Sequence, residues 1–495
     1  MNLAAVIDGH PDDAVALIAR GRETTYGTLR DQVAHLRGGL GALGVEPGDR
    51  VAIVAGNSWY FVVAYLAALG VGAVAVPLNP LSPGPELARE LAAVGCRVAF
   101  ADPSGARSLA ALDRAAAPEL EQLVTPTGDG GGPTYASLLE AAPAPVVDRS
   151  PDDLAVLVFT SGTAGAPKAA MLTHGNLRAN LDQCQALPIR AQGPDDVVLG
   201  ALPFFHIFGL NVVLGLTLLS GASVVLVERF DPQTTLELVE AHGVTVVSGA
   251  PPMWAAWAAL PGTRPGALAT VRLAASGAAP LDVQVRRTII ERFGVALVEG
   301  YGLTEASPVV TTGTGLEAPE GSVGVPVPDL EVRLVDLDGQ DALVGDPGEI
   351  WVRGPNVFVG YWQDEAATRQ ALDADGWLHT GDVAVVDDDG YLYLVDRAKD
   401  LVIVSGFNVF PAEVEEVLLE HPDVQEAAVV GVPHPHTGEA VKAYLVLREG
   451  AHLDEEGVVA HCEARLARYK CPSAVAFVDR IPHTATGKTI RAALR

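Results

Sequence analysis

Lysine is scarce in this sequence. Of 495 residues only Lys168, Lys399, Lys442, Lys470 and Lys488 are lysines, and arginine supplies every other fixed positive side-chain charge. Set against 61 acidic residues, the 33 basic ones leave a formal net charge of −28. The clustered cations that neutralise nucleic-acid phosphates are missing, which argues against a nucleic-acid binder. An anionic ligand has to be met by local donors instead. Each retained lysine is then informative, because an ammonium is a compact, flexible charge whereas a guanidinium is a planar fork.

Cysteine is scarce too. Cys96, Cys184, Cys462 and Cys471 form no C-x-x-C pair and show no metal-ligand spacing, so neither a zinc cluster nor a disulfide scaffold is expected, and a reducing, cytoplasmic setting fits. The opening MNLAAVIDGHPDDAV places Asp and His where a secretory leader has a basic and then an apolar stretch. No internal repeat is visible. Charge is absent from 59–78, and from 197–227 apart from the titratable His206. Both stretches are long enough to span a bilayer. The first, however, breaks at Gly70 and Gly72 into a helix-like WYFVVAYLAAL and a strand-like VGAVAVPL, and the second is interrupted by Pro203, Gly209, Asn211, Gly215, Ser220 and Gly221. Buried helix and strand units of an α/β core are expected, with no transmembrane segment.

The size and the 49% hydrophobic content support more than one core. Short β-branched runs (DRVAIVAG, GAVAVPL, AVLVFTSG, ASVVLVE, GVTVVSGA) alternate with helix-like segments such as PELARELAAVG and TTLELVEAHG, the rhythm of parallel sheets covered by helices. From about Val325 short strands joined by Gly and Asp turns suggest a small β-rich subdomain reaching to 396. After Asp396 a strand-turn, a helix, two strands, a helix and a polar tail describe an α+β domain of about a hundred residues. The expected architecture is α/β: a large N-terminal domain over 1–396, with parallel-rich sheets and the β-rich piece at about 325–396, followed by a small α+β domain over 397–495. GDGGGPT at 128–134 reads as a surface loop.

The segment 157–176, LVFTSGTAGAPKAAMLTHGN, sets a strand before a loop dense in glycine and hydroxyls. Backbone N–H groups at Thr160, Ser161, Gly162, Thr163 and Gly165, with the Lys168 charge, suit a polyphosphate. Pro167 and Ala169 flank Lys168, so this is not the Gly-Lys-Ser/Thr pattern of a P-loop NTPase. Further along come LPFFHIFG (202–209), AASGAAPL (274–281), EGYGLTEAS (299–307), GEIWVRGPNVFVGYW (348–362), DGWLHTGD (375–382), YLVDRAKDLVIVSGFNVFPAEVE (393–415) and PHTATGKTIR (482–491).

In this order the segments resemble the motif series of the adenylate-forming superfamily, which holds acyl-CoA synthetases, peptide-synthetase adenylation domains and luciferases. Bacterial fatty acyl-CoA ligases are the nearest in texture. Ala164 stands where the family usually has threonine, which removes a hydroxyl but no backbone donor. The resemblance implies that Thr160, Ser161, Gly162, Thr163, Gly165 and Lys168 hold the ATP phosphates, and that Ser276, Gly277, Ala278 and Ala279, with Gly300, Tyr301 and Gly302, take the adenine. Thr304 would bind the α-phosphate. Glu305, with Thr163, would hold Mg²⁺, as a carboxylate beside phosphate oxygens suits a hard cation. Asp382 would accept from the ribose hydroxyls, Arg397 would reach ribose or phosphates, and Lys488 would bridge the substrate carboxylate and the adenylate. Phe205, His206, Asn211, Ser248, Gly277 and Gly302 would border the acyl pocket. Lys399 would be a hinge for a mobile C-terminal domain, with Ser405, Gly406 and Phe407 along a coenzyme A tunnel. The glycines of the 348–362 motif read as turn residues.

The reaction implied is adenylation of a carboxylic acid by ATP and transfer of the acyl group to coenzyme A, with Lys488, Thr304, Glu305, Arg397 and His206 as the catalytic set. The aliphatic LNVVLGLTLL after His206 and VSGAPPMW at 247–254 offer no evident cation for a second carboxylate, so a monocarboxylic acid with an apolar body is expected. A medium- or long-chain fatty acid fits best, and an aromatic acid of the cinnamate or benzoate type stays open, since one pocket residue can reset such a preference. A carrier-protein thiol is the alternative acceptor, and a homodimer is allowed. A non-catalytic nucleotide-binding protein would have a damaged set, whereas Thr304, Glu305, Asp382, Arg397 and Lys488 are all present.

Overall fold

The computed structural model describes every residue except 111, 113, 129–130, 161–167, 337, 398–399, 405–406, 435–436, 485–486 and 495. The chain divides into two compact units, Met1–Glu331 with Arg353–Leu378, and Val332–Val352 with His379–Arg495.

The first unit is built on two sheets. One has six strands in the order Gln122–Val124, Val98–Ala101, Arg50–Val54, Val74–Leu78, Leu154–Thr160, Lys168–Thr173. Its pairings are parallel up to the last, where Thr160 sits across from Lys168 in an antiparallel hairpin. The other has nine strands, with a parallel centre of Leu297–Gly302, Leu273–Ser276, Val246–Gly249, Val197–Gly200, Ser223–Leu226 and Val15–Ala19, and antiparallel strands at both edges.

The charge-free runs turn out as sequence patterning implies. Trp59–Gly70 is a helix, capped by the Ser58 hydroxyl accepting from the Phe61 N–H, and all its residues after Tyr60 are buried. Val74–Leu78 then enters the six-stranded sheet as a wholly buried strand. In the second run the strand Val197–Gly200 leads into a π-helix, Phe208–Gly215, and an α-helix, Leu216–Ser220, before Ser223–Leu226 returns to the sheet. Wrapping apolar residues around both faces of a parallel sheet is what removes charge from these segments. Among the described residues no helix is long and apolar enough to cross a membrane. Beneath the nine-stranded sheet the core gathers Val247, Ala274, Leu297, Trp254 and Trp257, the two indoles meeting edge-on at 5.4 Å.

The second unit carries two smaller sheets. Glu331–Val335, Gly348–Arg353, Leu378–Val386 and Leu392–Arg397 form one in that order; its first residue, Arg353 and Leu378 lie at the boundary with the first unit. The other runs Phe407–Val409, Val402–Val404, Gly438–Leu447, Val424–His434, with Ala474–Phe477 added parallel to Gly438–Leu447. That last strand lies in the stretch that sequence alone suggests is a polar tail. The helices Pro411–Leu419 and Glu455–Glu463 complete a core around Val402, Val414, Val441 and Cys462.

The β-rich stretch expected over 325–396 is therefore shared between the units. Most of its strands belong to the second, while residues 354–377 belong to the first. A hydrogen-bonded stitch explains the return: Met171 N–H donates to Gly360 O (2.9 Å), Trp362 N–H to Ala169 O (2.8 Å) and Phe358 N–H to Glu305 O (2.8 Å).

Candidate active site

The parallel strands of the nine-stranded sheet end side by side at Gly200, Gly249, Ser276 and Gly302, and the carboxyl ends of such strands are where open α/β sheets bind ligands. Ser248 and Ser276 are buried within these strands, and the turn after Ser276 leaves Ala278 and Ala279 half-exposed. Ala278 has φ +74°, a left-handed conformation that lets this tight turn present backbone rather than bulk. Glycine is required at 302, where a Cβ would come within 2.2 Å of Pro308 O. At Gly277 a Cβ would sit 3.2 Å from the Phe208 ring. Phe208 therefore lies along the Gly277 backbone. Tyr301 follows in the strand Leu297–Gly302, largely buried. Phe205 and His206 are half-buried just before the π-helix, with His206 Nδ1 accepting from the Phe208 N–H at 3.3 Å. That bond puts the proton of the neutral ring on Nε2.

Thr304 and Glu305 stand on the 3₁₀ turn Thr304–Ala306, both partly exposed. A set of buried side-chain amides fastens this turn from behind. Asn211 Nδ2 donates to Ser307 O (2.7 Å) and Leu177 O (3.2 Å). Asn356 Nδ2 donates to Ala306 O (2.8 Å), and Asn180 donates to Val309 O (2.9 Å) while accepting from Val309 N–H (3.1 Å). Gln183 joins the set by donating to Asn356 Oδ1 at 3.2 Å. Asn176, at the start of the helix His174–Gln185, ties down Pro355 O and Val357 O. Asn211, expected to border the acyl pocket, is 1% exposed and gives both its amide donors to backbone carbonyls. Of this set only Asn211 was singled out from sequence; the available signal was the helically spaced polar stripe Asn176, Asn180, Gln183.

At the edge of the six-stranded sheet, Thr160 and Lys168 face each other across the hairpin, with the Thr160 hydroxyl donating to Lys168 O at 3.4 Å. Ser161, Gly162, Thr163 and Gly165 lie outside the described residues. Lys168 Nζ sits 5.2 Å from the centroid of the Tyr361 ring, and the Tyr361 hydroxyl donates to Glu305 Oε1 at 2.7 Å. Burial, and then the Glu305 charge, hold the Tyr361 hydroxyl well above the ordinary tyrosine range, so it remains a donor at any physiological pH. Tyr361 lies in a motif read from sequence as structural turns.

The second unit, taken by itself, carries Asp382, Arg397 and Lys488. Asp382 is buried on Leu378–Val386, paired through the backbone with Arg397 on the neighbouring strand. The preceding residues are pinned: Thr380 donates to Ile350 O (2.7 Å) and accepts from the Asp382 N–H (3.1 Å), and Gly381 N–H donates to Glu349 Oε1 (2.9 Å). Trp351 stacks on His379 beside them, centroids 3.8 Å apart. Lys488 sits on a small hairpin: Thr484 N–H donates to Lys488 O (2.8 Å), and Lys488 N–H donates to the Thr484 hydroxyl (3.1 Å). Gly487 takes φ +85° at its tip. Phe407 is placed by its backbone, in Phe407–Val409. Lys399, Ser405 and Gly406 lie outside the described residues.

Hydroxyl and backbone donors, one ammonium and one half-exposed carboxylate at the ends of parallel strands suit a nucleotide polyphosphate with a hard cation. The comparisons agree. A family model described as AMP-binding enzyme matches residues 3–362, and one described as AMP-binding enzyme C-terminal domain matches 413–488. The chain is 41% identical to a feruloyl-CoA synthase of Amycolatopsis sp, over 97% of this chain and 95% of that one. It is 34% identical to a long-chain-fatty-acid–CoA ligase of Bacillus subtilis (strain 168), over 97% and 91%. Among solved structures, ATP-bound MatB from Rhodopseudomonas palustris superposes with a TM-score of 0.91 at 34% identity, covering 100% of this chain and 98% of that one. With its Thr160–Lys168 hairpin, Thr304–Glu305 turn and C-terminal lysine hairpin in the matched segments, the chain belongs to the AMP-binding enzyme family, and it is an ATP-dependent, AMP-forming acid–thiol ligase.

Proposed function

We propose that this enzyme makes the coenzyme A thioester of an aromatic monocarboxylic acid of the cinnamate type. In the first step a carboxylate oxygen attacks the α-phosphorus of ATP, the bond to the β-phosphate oxygen breaks, and pyrophosphate leaves with the electron pair. In the second the thiol sulfur, having lost its proton, attacks the acyl carbon and AMP leaves. Neither step needs a covalent bond to the protein, so positioning and charge stabilisation carry the rate. In this reading the loop from Thr160 to Lys168 takes the departing phosphates, Thr304 the α-phosphate, and the turn at Gly277 to Ala279 with Tyr301 the adenine. Asp382 and Arg397 take the ribose, and Lys488 the attacking carboxylate. Mg²⁺, when bound, offsets phosphate charge. Glu305 fits it as the hard-oxygen donor, since Tyr361 occupies only one carboxylate oxygen.

The proposal retains 1–396 as the adenylating part and 397–495 as a mobile domain turning at Lys399, with Ser405, Gly406 and Phe407 on the thiol path. Rotation between the two steps answers a steric demand: the group that steadies the carboxylate must withdraw before a thiol can reach the acyl carbon.

The observation that carries the choice of acid is Phe208 lying against Gly277. The contact brings an aromatic ring to the turn after Ser276, and pairing of such a ring with a flat substrate would add about 0.5–1.5 kcal/mol. The aliphatic LNVVLGLTLL does not speak for a long chain once placed, because Leu210, Val213, Leu214, Leu216 and Leu218 are all packed in the core. The 41% identity to a feruloyl-CoA synthase supports the same reading. The test is pyrophosphate release across hydroxycinnamates, benzoates and fatty acids of graded length, with coenzyme A or a holo-carrier protein as acceptor. A cinnamate-type acid should lead in kcat/KM by at least about tenfold, the span one pocket contact commands. A lead for a long-chain acid, or turnover only with the carrier protein, would overturn it.

A further inference from the structure

We infer that Tyr361 is a positioning residue that sets the Glu305 carboxylate for the metal and keeps it from pairing with Lys168. The inference rests on reading Glu305 as the Mg²⁺ carboxylate. Its hydroxyl donates to one carboxylate oxygen, Oε1, at 2.7 Å. The same ring carries the Lys168 ammonium, 5.2 Å from its centroid, within the range of a cation–π contact. One tyrosine therefore holds the anion by its edge and the cation by its face. Lys168 and Glu305 form no ion pair with one another among the described residues. Brought together directly, they would neutralise the carboxylate meant for the metal and the ammonium meant for phosphate.

The backbone shows why position 361 can do this. Residues 358–362 are stitched to both sides of the candidate site: Ala170 and Tyr361 form an antiparallel bridge beside the Thr160–Lys168 hairpin, and Phe358 N–H holds Glu305 O at 2.8 Å. The strip is also clamped from outside. Tyr361 N–H donates to the Thr368 hydroxyl (2.9 Å), which donates to Asp364 O (2.8 Å). Gly360, at φ +131°, allows the close pass, since a Cβ there would lie 2.6 Å from Thr368 Cγ2.

Tyr361→Phe removes the hydroxyl and keeps the ring. A hydrogen bond to a charged group is worth about tenfold or more in an equilibrium constant, so the Mg²⁺ concentration giving half-maximal pyrophosphate release should rise about tenfold. At saturating Mg²⁺, kcat should change less than about threefold. Calorimetric titration of ATP binding at fixed Mg²⁺ levels should show the same shift without turnover, and thermal unfolding checks that the fold is kept. In a Glu305→Ala background the phenylalanine should add nothing. An unshifted Mg²⁺ midpoint in Tyr361→Phe, or a full shift that persists without Glu305, overturns the inference while leaving the Glu305 assignment intact. An unshifted midpoint in Glu305→Ala alone overturns that assignment and the inference with it.

Discussion

The turn bearing Thr304 and Glu305 and the hairpin bearing Lys488 each carry a candidate catalytic side chain, and they are held in opposite ways. The first is anchored by buried amides reaching it from distant segments, Asn211, Asn356 and Asn180 each binding a backbone carbonyl there. The second is shaped in large part by short-range bonds, Thr484 to Lys488 and Ile490 N–H to Pro482 O, with His483 meeting Glu426 at 3.3 Å beside it. A buried amide network holds a geometry because breaking any member strands polar groups away from water. A turn shaped mainly by local bonds keeps its form when the domain that bears it is carried from place to place. The contrast suits a reaction in which the nucleotide has to be met by fixed donors, while the group that steadies the attacking carboxylate must arrive for one step and withdraw for the next.

The sharpest way to break the comparison is to remove the arriving charge. Lys488→Ala should lower adenylation by about 10²–10³-fold, the usual cost of a donor aimed at developing charge, and should leave thioester formation from pre-made acyl adenylate nearly unchanged. Equal loss in both half-reactions would place Lys488 in the fixed part of the machinery and end the contrast.

The fixed part predicts a different signature. Asn356 is 0% exposed and bonds Ala306 O, Val309 O and Gln183. Asn356→Ala should cost about 2–4 kcal/mol of stability, because it strands buried carbonyls, with a lowered midpoint in urea. Activity should fall in proportion to the loss of the turn. A variant as stable as the parent would mean the amides are replaceable and the turn is not held by them.

These anchors also mark where sequence reasoning stops. The family was legible because the motifs that carry Thr304, Glu305, Asp382 and Lys488 follow in the family's order, and they fall in the segments that the two family models match. The charge-free segments were legible as core because a parallel sheet covered on both faces admits few charges. Asn180 and Val309, however, meet across 129 residues and Gln183 and Asn356 across 173, and one sequence carries no record of such pairings. The same holds for Tyr361 and Glu305, which are 56 apart. The aliphatic residues after His206 show a related limit: hydrophobicity alone does not tell a pocket wall from the core behind it, and Leu210, Val213, Leu214, Leu216 and Leu218 are all buried.

Not every buried polar group in the first unit is satisfied. Glu90, on the helix Gly84–Val94, is 9% exposed, and its Oε2 has no hydrogen-bond partner among the described residues. Burial, and then the nearby Glu86, raise it from 4.5 to about 7. The folded state thus disfavours the charged form. Its contribution is fully present below about pH 4.5 and is lost as pH rises to about 7, a span of at most about 3 kcal/mol. Glu90→Gln should flatten stability across that window, most visibly as a gain at pH 8. An unchanged pH profile would show that Glu90 finds water in solution.

The smallest effect is expected at the hairpin. The Thr484 hydroxyl accepts the Lys488 N–H at 3.1 Å, so Thr484→Ala removes one bond from a turn that keeps its backbone bond at 2.8 Å. A loss of about 1 kcal/mol in the local equilibrium corresponds to about fivefold in adenylation rate, with no change in the midpoint of global unfolding, because the turn lies outside the core. Thr484→Ser, which restores the acceptor, should recover the rate. A fall in global stability as large as that of Asn356→Ala would show the hairpin to be fastened as firmly as the Thr304–Ala306 turn, and the contrast between the two would fail.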